Sequence, residues 1–258
     1  MTEDMKLHLA SLAAAFSLSI CCAHGGVTNP APVPVVQTSK PSAPEAAPKE
    51  DDTEEEAAAA PREEQKVDCG RGKYCVPYFR LAAGIDQKSV DATISWLEAA
   101  KAAEPVAVVI ELTTPGGSVD SGFRLIRAIE TSPVPVVCVV DHKAMSEGFA
   151  ILEACHLRSA TPRSQLMTHT PYVNSLAGGT LEDLENVLGS LKATAHSHAI
   201  QCSKRLKVSF EEYSKKVSGG KSWFMGADEA LAVGAIDFIA PTVESVVLTL
   251  RQKGIEAK

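Results

Sequence analysis

Apolar residues occur in blocks along residues 76–240, and the spacing within the blocks alternates between strand and helix periodicity. The runs "PVAVVIELTT" and "PVPVVCVVDH" are almost continuously apolar and rich in β-branched residues, which is typical of strands buried on both faces. "VPYFRLAAGI" predicts an earlier strand that ends at Gly84, and "ATPRSQLMTH" predicts a later one.

Segments with helical spacing separate these strands. "DQKSVDATISWLEAAKAA", with Asp86 as its predicted N-cap, and "SVDSGFRLIRAIETS" are two such segments. Another helix is predicted to begin around Ser146, and a long one covers "GTLEDLENVLGSLKATAHSHAIQCSKRL". Strands that alternate with helices predict an α/β fold, in which βαβ units build a mostly parallel sheet with helices on both faces.

The first 26 residues have the pattern of an export signal. Lys6 precedes "LASLAAAFSLSI", whose length suits a signal-peptide core and is short for a bilayer span. We therefore predict a signal peptide over residues 1–26 and export to the bacterial periplasm or cell envelope. "LSIC" resembles a bacterial lipoprotein box, in which Cys21 would carry the lipid and anchor the protein to a membrane. Plain cleavage after Ala23 is the alternative.

Residues 27–66 are rich in Pro, Ala and Glu and contain no aromatic residue. Such a segment buries too little apolar surface to offset its ordering entropy, which predicts a disordered tether before a single folded domain at residues 67–258. The net charge is −7, and much of the acidity lies in the tether. Because phosphate binding needs a clustered basic face, nucleic acid is excluded as a predicted partner.

The cysteines suggest one disulfide and several buried thiols. Cys69 and Cys75 frame the short polar loop "CGRGKYC", which in an exported protein predicts a local disulfide. No nearby histidine completes a metal site there, and we predict none. Cys138, Cys155 and Cys202 lie in apolar or helical contexts, which favour buried and unreactive thiols.

Two loops follow predicted strands, at the sheet edge where α/β proteins bind ligands. In "TPGGSVDSG", Gly116 and Gly117 would let the backbone approach a ligand closely, but the Lys and the spacing of a phosphate-binding P-loop are absent. "AMSEGF" places Ser146 on a strand-to-helix turn, the geometry of a nucleophile elbow, although Ala144 replaces the first glycine of G-x-S-x-G. From these residues alone, Ser146 is either a nucleophile or the start of a helix.

A serine nucleophile requires a base within hydrogen-bond reach. His169 closes the apolar run "SQLMTH" beside both loops and is the candidate base, with a structural role as the alternative. His196 and His198 lie in the long helix and are interpreted as surface or packing residues.

Three of these motifs, "TPGGSVDSG", "AMSEGFAIL" and "LMTHTP", occur in the order found in the Clp protease proteolytic subunit. The resemblance continues through "FMGADEALAVGAIDFI" and implies a serine peptidase with the ClpP/crotonase fold and no cofactor. It also implies a homo-oligomer of stacked rings, joined through the long helix. The site residues that it implies are Ser146 as nucleophile, His169 as base, the backbone N–H groups of Gly117 and Glu147 as oxyanion hole, and Gly116 and Ser118 in the substrate-binding loop.

The chain departs from the family pattern at two of these positions. The family's third catalytic residue is an aspartate, and the aligned residue here is Ser222. Either Ser222 orients His169 by a neutral hydrogen bond or Asp228 reaches in, and both arrangements predict a slower enzyme. Glu147 replaces an apolar residue. We expect its side chain to point outward, because only its backbone N–H is needed.

The leading hypothesis is an exported, ATP-independent serine peptidase that cleaves peptides or unfolded proteins through an acyl-enzyme. A weak or inactive peptide-binding or scaffold protein is the main alternative, since the aspartate is missing. A crotonase-like enzyme of acyl-thioesters shares the fold, but such hydratases use carboxylates in place of Ser146 and His169. Lys143 suggests a serine–lysine dyad, although its place on the turn favours exposure to solvent.

Overall fold

The computed structural model describes residues 67–173 and 179–254, and all of them fall in one compact unit of the chain. The predicted signal peptide, the lipid site at Cys21 and the tether lie outside the described residues. Among the helices that are described, none has the length and apolar character needed to cross a bilayer.

The central sheet has seven strands within the described residues. They are β1 (Tyr78–Leu81), β2 (Val108–Thr114), β3 (Val136–Met145), β4 (Leu157–Ala160), β5 (Gln165–His169), β6 (Ser222–Gly226) and β7 (Phe238–Ile239). Strands β1, β2, β3, β4 and β7 are parallel neighbours in that order, β5 pairs with β3, and β6 pairs antiparallel with β5. The mostly parallel α/β sheet predicted from the sequence is confirmed.

Strand β3 is long enough to pair with two strands on one side. Its first half pairs with β4 and its second half with β5, where Met145 lies opposite Met167. On its other side, Ala144 lies opposite Thr114 at the end of β2. The carboxyl ends of β2, β3 and β5 therefore meet at one edge of the sheet, where ligands bind in folds of this class.

The α-helices of the described residues surround the sheet. They are α1 (Gln87–Lys101), α2 (Val119–Glu130), α3 (Glu147–Ala154), α4 (Leu181–Ser203), α5 (Phe210–Val217), α6 (Ala227–Ala232) and α7 (Val243–Lys253). The predicted N-cap of α1 is confirmed, because the Asp86 carboxylate accepts a hydrogen bond of 2.7 Å from the Ser89 N–H. Every residue of α3 is buried, so this helix lies inside the protein rather than on its surface.

Buried side chains form a separate core on each face of the sheet. Alternate residues of β2 point in opposite directions: Val108, Ile110 and Leu112 join the larger cluster, and Val109 joins the one that packs on α7. Since successive strand residues face opposite sides, burial of both faces requires the continuous apolar runs seen in the sequence. Each fully buried side chain of this size contributes about 1.5–3 kcal/mol to the free energy of unfolding.

Two segments differ from the predicted pattern, and the first is β1, which ends at Leu81 rather than at Gly84. The strand predicted over "ATPRSQLMTH" begins later, at Gln165, because Thr161 and Ser164 form a turn whose hydroxyls bond each other and the Val140 carbonyl. The residues just before it form β4, which was not predicted. Arg158 interrupts the apolar pattern of β4, and it is tolerated in the interior because Glu153 and Asp237 bind its guanidinium.

The structure contains two disulfides within the described residues. One joins Cys69 to Cys75. The other joins Cys138 on β3 to Cys155 at the end of α3, so the prediction of two buried thiols at these positions is wrong. Helix α3 packs against β3, which brings residues 17 positions apart within a Cα–Cα distance of 5.8 Å. Cys202 is a buried free thiol, as predicted.

Candidate active site

Ser146 occupies a strained turn between β3 and α3. Its φ of 54° and ψ of −120° lie in a region that a side chain other than glycine rarely adopts, at a cost on the order of 1–3 kcal/mol. A hydrogen bond of 2.7 Å from its N–H to the Met167 carbonyl holds the turn against β5. The Ser146 side chain makes no capping bond to α3, so its hydroxyl is not occupied by starting the helix.

The glycine loop after β2 packs directly against this turn. Gly116 (φ 95°) and Gly117 (φ 152°) both have positive φ, which favours glycine. A Cβ added to Gly116 would lie 2.6 Å from the Met145 carbonyl oxygen and 2.7 Å from the Ser146 Cβ. Backbone hydrogen bonds with Ile85 on both sides of Gly117 hold the loop in place. Only glycine permits this approach to the serine.

Two backbone N–H groups beside Ser146 are free. Within the described part of the chain, the N–H groups of Gly117 and Glu147 donate no hydrogen bond to the protein. The Glu147 N–H is free because it opens helix α3 and has no carbonyl one turn earlier. Two such donors near a nucleophile can stabilise the negative oxygen of a tetrahedral intermediate.

His169 ends β5 and lines the same cleft as Ser146. Its Nδ1 lies 2.8 Å from the Thr170 carbonyl oxygen. Because a carbonyl oxygen only accepts hydrogen bonds, Nδ1 must carry the proton, which leaves Nε2 as the acceptor. This is the tautomer in which a histidine takes a proton from a serine hydroxyl.

The two residues suggested to orient His169 do not do so in this structure. Ser222 lies directly opposite His169 in the pairing of β5 with β6, but it is exposed and forms no hydrogen bond with the imidazole. Asp228 lies in the first turn of α6, beyond the other end of β6, where Gly226 faces Gln165. That end is about 13 Å from His169 at the usual strand rise, so the suggestion that Asp228 reaches the site is wrong. Sequence reasoning missed the Thr170 carbonyl, which no side-chain pattern can signal.

The Glu147 side chain points inward, contrary to expectation. It is 0% exposed, and its Oε2 lies 3.3 Å from Nε2 of His198, which is itself 1% exposed on α4. The inward position is open because Gly122 of α2 has no side chain where the carboxylate packs. His198, interpreted as a surface or packing residue, is therefore a buried polar partner of the residue after the serine.

The cleft beside Ser146 and His169 has a volume of about 790 Å³. Gly116, Gly117 and Ser118 line one side, although the Ser118 hydroxyl also caps α2 by accepting a hydrogen bond from the Ser121 N–H. The remaining lining is Pro115 of the same loop, Val119 and Asp120 of α2, then Met167, Pro171, Tyr172 and Val173, and Val187, Ser190, Leu191 and Thr194 of α4. Among the described residues that line the cleft there is no lysine or arginine, and Lys143 is outside the lining. No group of three or more metal-ligating side chains occurs among the described residues.

The chain is similar over most of its described length to proteins of one family. The family model for Clp protease matches residues 80–243. "ATP-dependent Clp protease proteolytic subunit 1" of Protochlamydia amoebophila is 30% identical over 154 residues, which cover 58% of this chain and 72% of that protein. Its counterpart in Chlamydia abortus is 31% identical over 167 residues, 60% and 80% of the two chains. "Membrane-bound protease PH1510" of Pyrococcus horikoshii is 26% identical over 156 residues, 59% of this chain and 34% of that one. The chain belongs to the Clp protease family.

Proposed function

We propose that this protein is a serine peptidase that cleaves peptides or unfolded proteins through an acyl-enzyme on Ser146, with His169 as the base. The observation that carries the proposal is the strained Ser146 turn. A non-glycine residue is held at φ 54° with its hydroxyl free, in a cleft shared with His169 and beside two free N–H groups. Strain of this kind persists where the surrounding structure enforces it, and functional sites are where it concentrates.

In this mechanism, Nε2 of His169 takes the proton of Ser146 Oγ as the oxygen attacks the peptide carbonyl. The N–H groups of Gly117 and Glu147 stabilise the negative oxygen, and His169 then protonates the leaving amine. Water, activated by the same imidazole, hydrolyses the acyl-enzyme. The Thr170 carbonyl fixes the tautomer but carries no full charge. It stabilises the imidazolium less than a carboxylate would, and we expect a slower enzyme than one with an aspartate there.

We further propose that the protein works outside the cytosol, without ATP, on short or already unfolded substrates. Two disulfides in the described residues support an oxidising compartment. We also propose a homo-oligomer, because α4 exposes Leu181, Leu184 and Leu188, which a second copy of the chain could cover. Native mass spectrometry of the purified protein tests this: a monomer at micromolar concentration contradicts it.

A peptide-binding protein without turnover is the second candidate. The observation that favours it is the absence of a carboxylate opposite His169, where Ser222 stands and forms no bond to the imidazole. The cleft and its free N–H groups would then hold a peptide that is not cleaved.

Reaction with a fluorophosphonate, read by intact mass, separates the two candidates. The purified protein is compared with Ser146→Ala and His169→Ala, each shown by circular dichroism to be folded. Labelling of the wild type that disappears in both variants is the expected result. If the folded wild type is not labelled, the peptidase proposal is overturned and the binding role is favoured.

A further inference from the structure

A carboxyl and an imidazole are buried together directly behind the nucleophile. Glu147 follows Ser146 in the chain, and its Oε2 lies 3.3 Å from Nε2 of His198. Both side chains are shielded from solvent. The contact joins the first residue of α3 to α4, the helix that forms one wall of the cleft.

The space for the carboxyl is a slot between α2 and α4. A Cβ on Gly122 of α2 would overlap the Glu147 carboxyl, so the slot exists only because this position is glycine. The Cys202 thiol also lies beside the imidazole, 3.6 Å from Nδ1 and 3.7 Å from Nε2 of His198. Within the described residues, neither carboxyl oxygen has a well-formed hydrogen bond, which leaves the contact with His198 as the single polar partner of Glu147.

The slot favours a pair that shares one proton. Burial raises the pKa of the Glu147 carboxyl; the contact with His198 offsets part of the rise, and the carboxylate of Asp120 on α2 adds to it. Burial alone lowers the pKa of His198, but its contacts with Cys202 and Glu147 outweigh that effect and raise the pKa to about 10. With one proton between the two groups, the pair is electrically neutral overall, which is the least costly state for two buried groups.

Glu147 also supplies one of the two free N–H groups at the site. The rest of α3 has other ties to α4 and to the chain just after it: the Gln201 amide donates to the Ala150 carbonyl at 3.0 Å, and the Arg205 guanidinium donates to the Cys155 carbonyl. Neither of these ties reaches Glu147 itself, because the first ends at the fourth residue of the helix and the second at its C-cap. Together with the Ser146 N–H bond to the Met167 carbonyl, the contact with His198 holds the residue whose N–H faces the reacting oxygen.

We propose that Glu147 and His198 are positioning residues, whose buried pair aims the Glu147 backbone N–H at the negative oxygen of the intermediate. This inference rests on the proposed peptidase function. It assigns a role to a side chain that contacts no substrate, since the Glu147 carboxyl is outside the cleft lining.

The test compares Glu147→Ala and Glu147→Gln with a matched control, Glu153→Gln. Glu153 is a second buried carboxyl on the same helix, but it pairs with Arg158 at the far end from Ser146. Each variant is assayed for kcat and KM with a chromogenic peptide, for fluorophosphonate labelling and for melting temperature. We expect Glu147→Ala to lower kcat by about 10- to 100-fold with KM nearly unchanged, because a misplaced donor weakens binding of the transition state only.

The conservative variant separates positioning from stability. Glutamine keeps the shape of Glu147 and can still form a hydrogen bond with His198. The kcat of Glu147→Gln should therefore be much closer to that of the wild type than the kcat of Glu147→Ala. Glu153→Gln should lower the melting temperature and leave kcat within about twofold. If Glu147→Ala lowers the melting temperature but not kcat, the pair is only structural and the inference is overturned. If folded wild-type protein shows neither turnover nor labelling, the peptidase proposal itself fails, and this inference fails with it.

Discussion

The disulfide between Cys138 and Cys155 should supply a large part of the stability of the protein. The bridge closes a loop with a sequence separation of 17, for which the chain-entropy relation gives about 3 kcal/mol. The same relation gives about 2 kcal/mol for the separation of 6 between Cys69 and Cys75. Typical domains are stable by only about 5–15 kcal/mol, so the loss of stability on breaking the Cys138–Cys155 disulfide should be easy to measure.

The variant Cys69→Ala/Cys75→Ala isolates the buried bridge without creating a cavity at it. Urea unfolding of this variant is measured in its oxidised form and after full reduction in denaturant and refolding under reductant. We expect the free energy of unfolding to fall by about 3 kcal/mol on reduction. Both sulfurs of the bridge are fully buried, so reductant should reach them only when the protein opens.

Two results would contradict this account. A difference below about 1 kcal/mol between oxidised and reduced forms would mean that the loop entropy does not apply here. Reduction of the buried bridge in wild-type protein as fast as the half-exposed Cys69–Cys75 bridge would mean that α3 opens locally without global unfolding. Because α3 begins at the proposed nucleophile, such opening would also predict that fluorophosphonate labelling is lost under reductant.

Three further outcomes follow from the site. Ser222→Asp should raise kcat by about tenfold or more, because it places a carboxylate opposite His169, and removing such a group from a triad costs about 10⁴. Gly122→Ala should lower the melting temperature by pushing out the buried carboxyl, whereas Gly189→Ala, a matched helical glycine with nothing within 4 Å, should raise it, as alanine favours helix by about 1 kcal/mol. The melting temperature should fall as pH rises from about 7 through about 10, and this pH dependence should be weaker in His198→Gln.

The sign of the pH effect follows from the pKa of His198. The folded value, about 10, is above the unfolded value of 6.5, so the folded state holds the proton more tightly. The stabilisation is complete below the unfolded value and is lost as pH rises through the folded one. A melting temperature independent of pH from 7 to 11 would contradict the buried pair, and an unchanged kcat in folded Ser222→Asp would show that the Thr170 carbonyl already suffices.

The sheet could be predicted where the pattern is local and strong. Strands β2 and β3 and helices α1 and α2 were predicted because each carries a long apolar pattern: the strands contribute to both cores and the two helices to the larger one. Strand β4 escaped prediction because it is short and its interior includes Arg158, which is tolerated through Glu153 and through Asp237, the second of them 79 residues further along. No local pattern reports a partner at that distance.

In the candidate site, too, the features with a local sequence signal were predicted and those that depend on distant residues were not. The motifs around Ser146 and His169 predicted that both would lie at one edge of the sheet, because strands of a parallel sheet end together. The direction of the Glu147 side chain was predicted wrongly, because it depends on a glycine in another helix rather than on its own neighbours. The hydrogen-bond partner of the His169 Nδ1 is the backbone carbonyl of Thr170. Because every residue has a backbone carbonyl, no sequence pattern could single this one out.

The chain departs from the family pattern at Ser222 and at Glu147. The first departure removes a negative charge near the imidazolium, and the second adds a carboxyl near the negative oxygen. With Ser222 in the aligned position, the imidazolium of the transition state lacks a carboxylate beside it. An ionised Glu147 without a partner would add a charge near the negative oxygen of the intermediate. Between two unit charges about 6 Å apart, at an effective dielectric constant of about 20, such repulsion is about 3 kcal/mol, or roughly a hundredfold in rate. The proton shared with His198 keeps the pair neutral overall and so offsets this charge. The carboxyl at position 147 is therefore compatible with catalysis only while the pair holds its proton, and kcat should fall once the pH exceeds about 10.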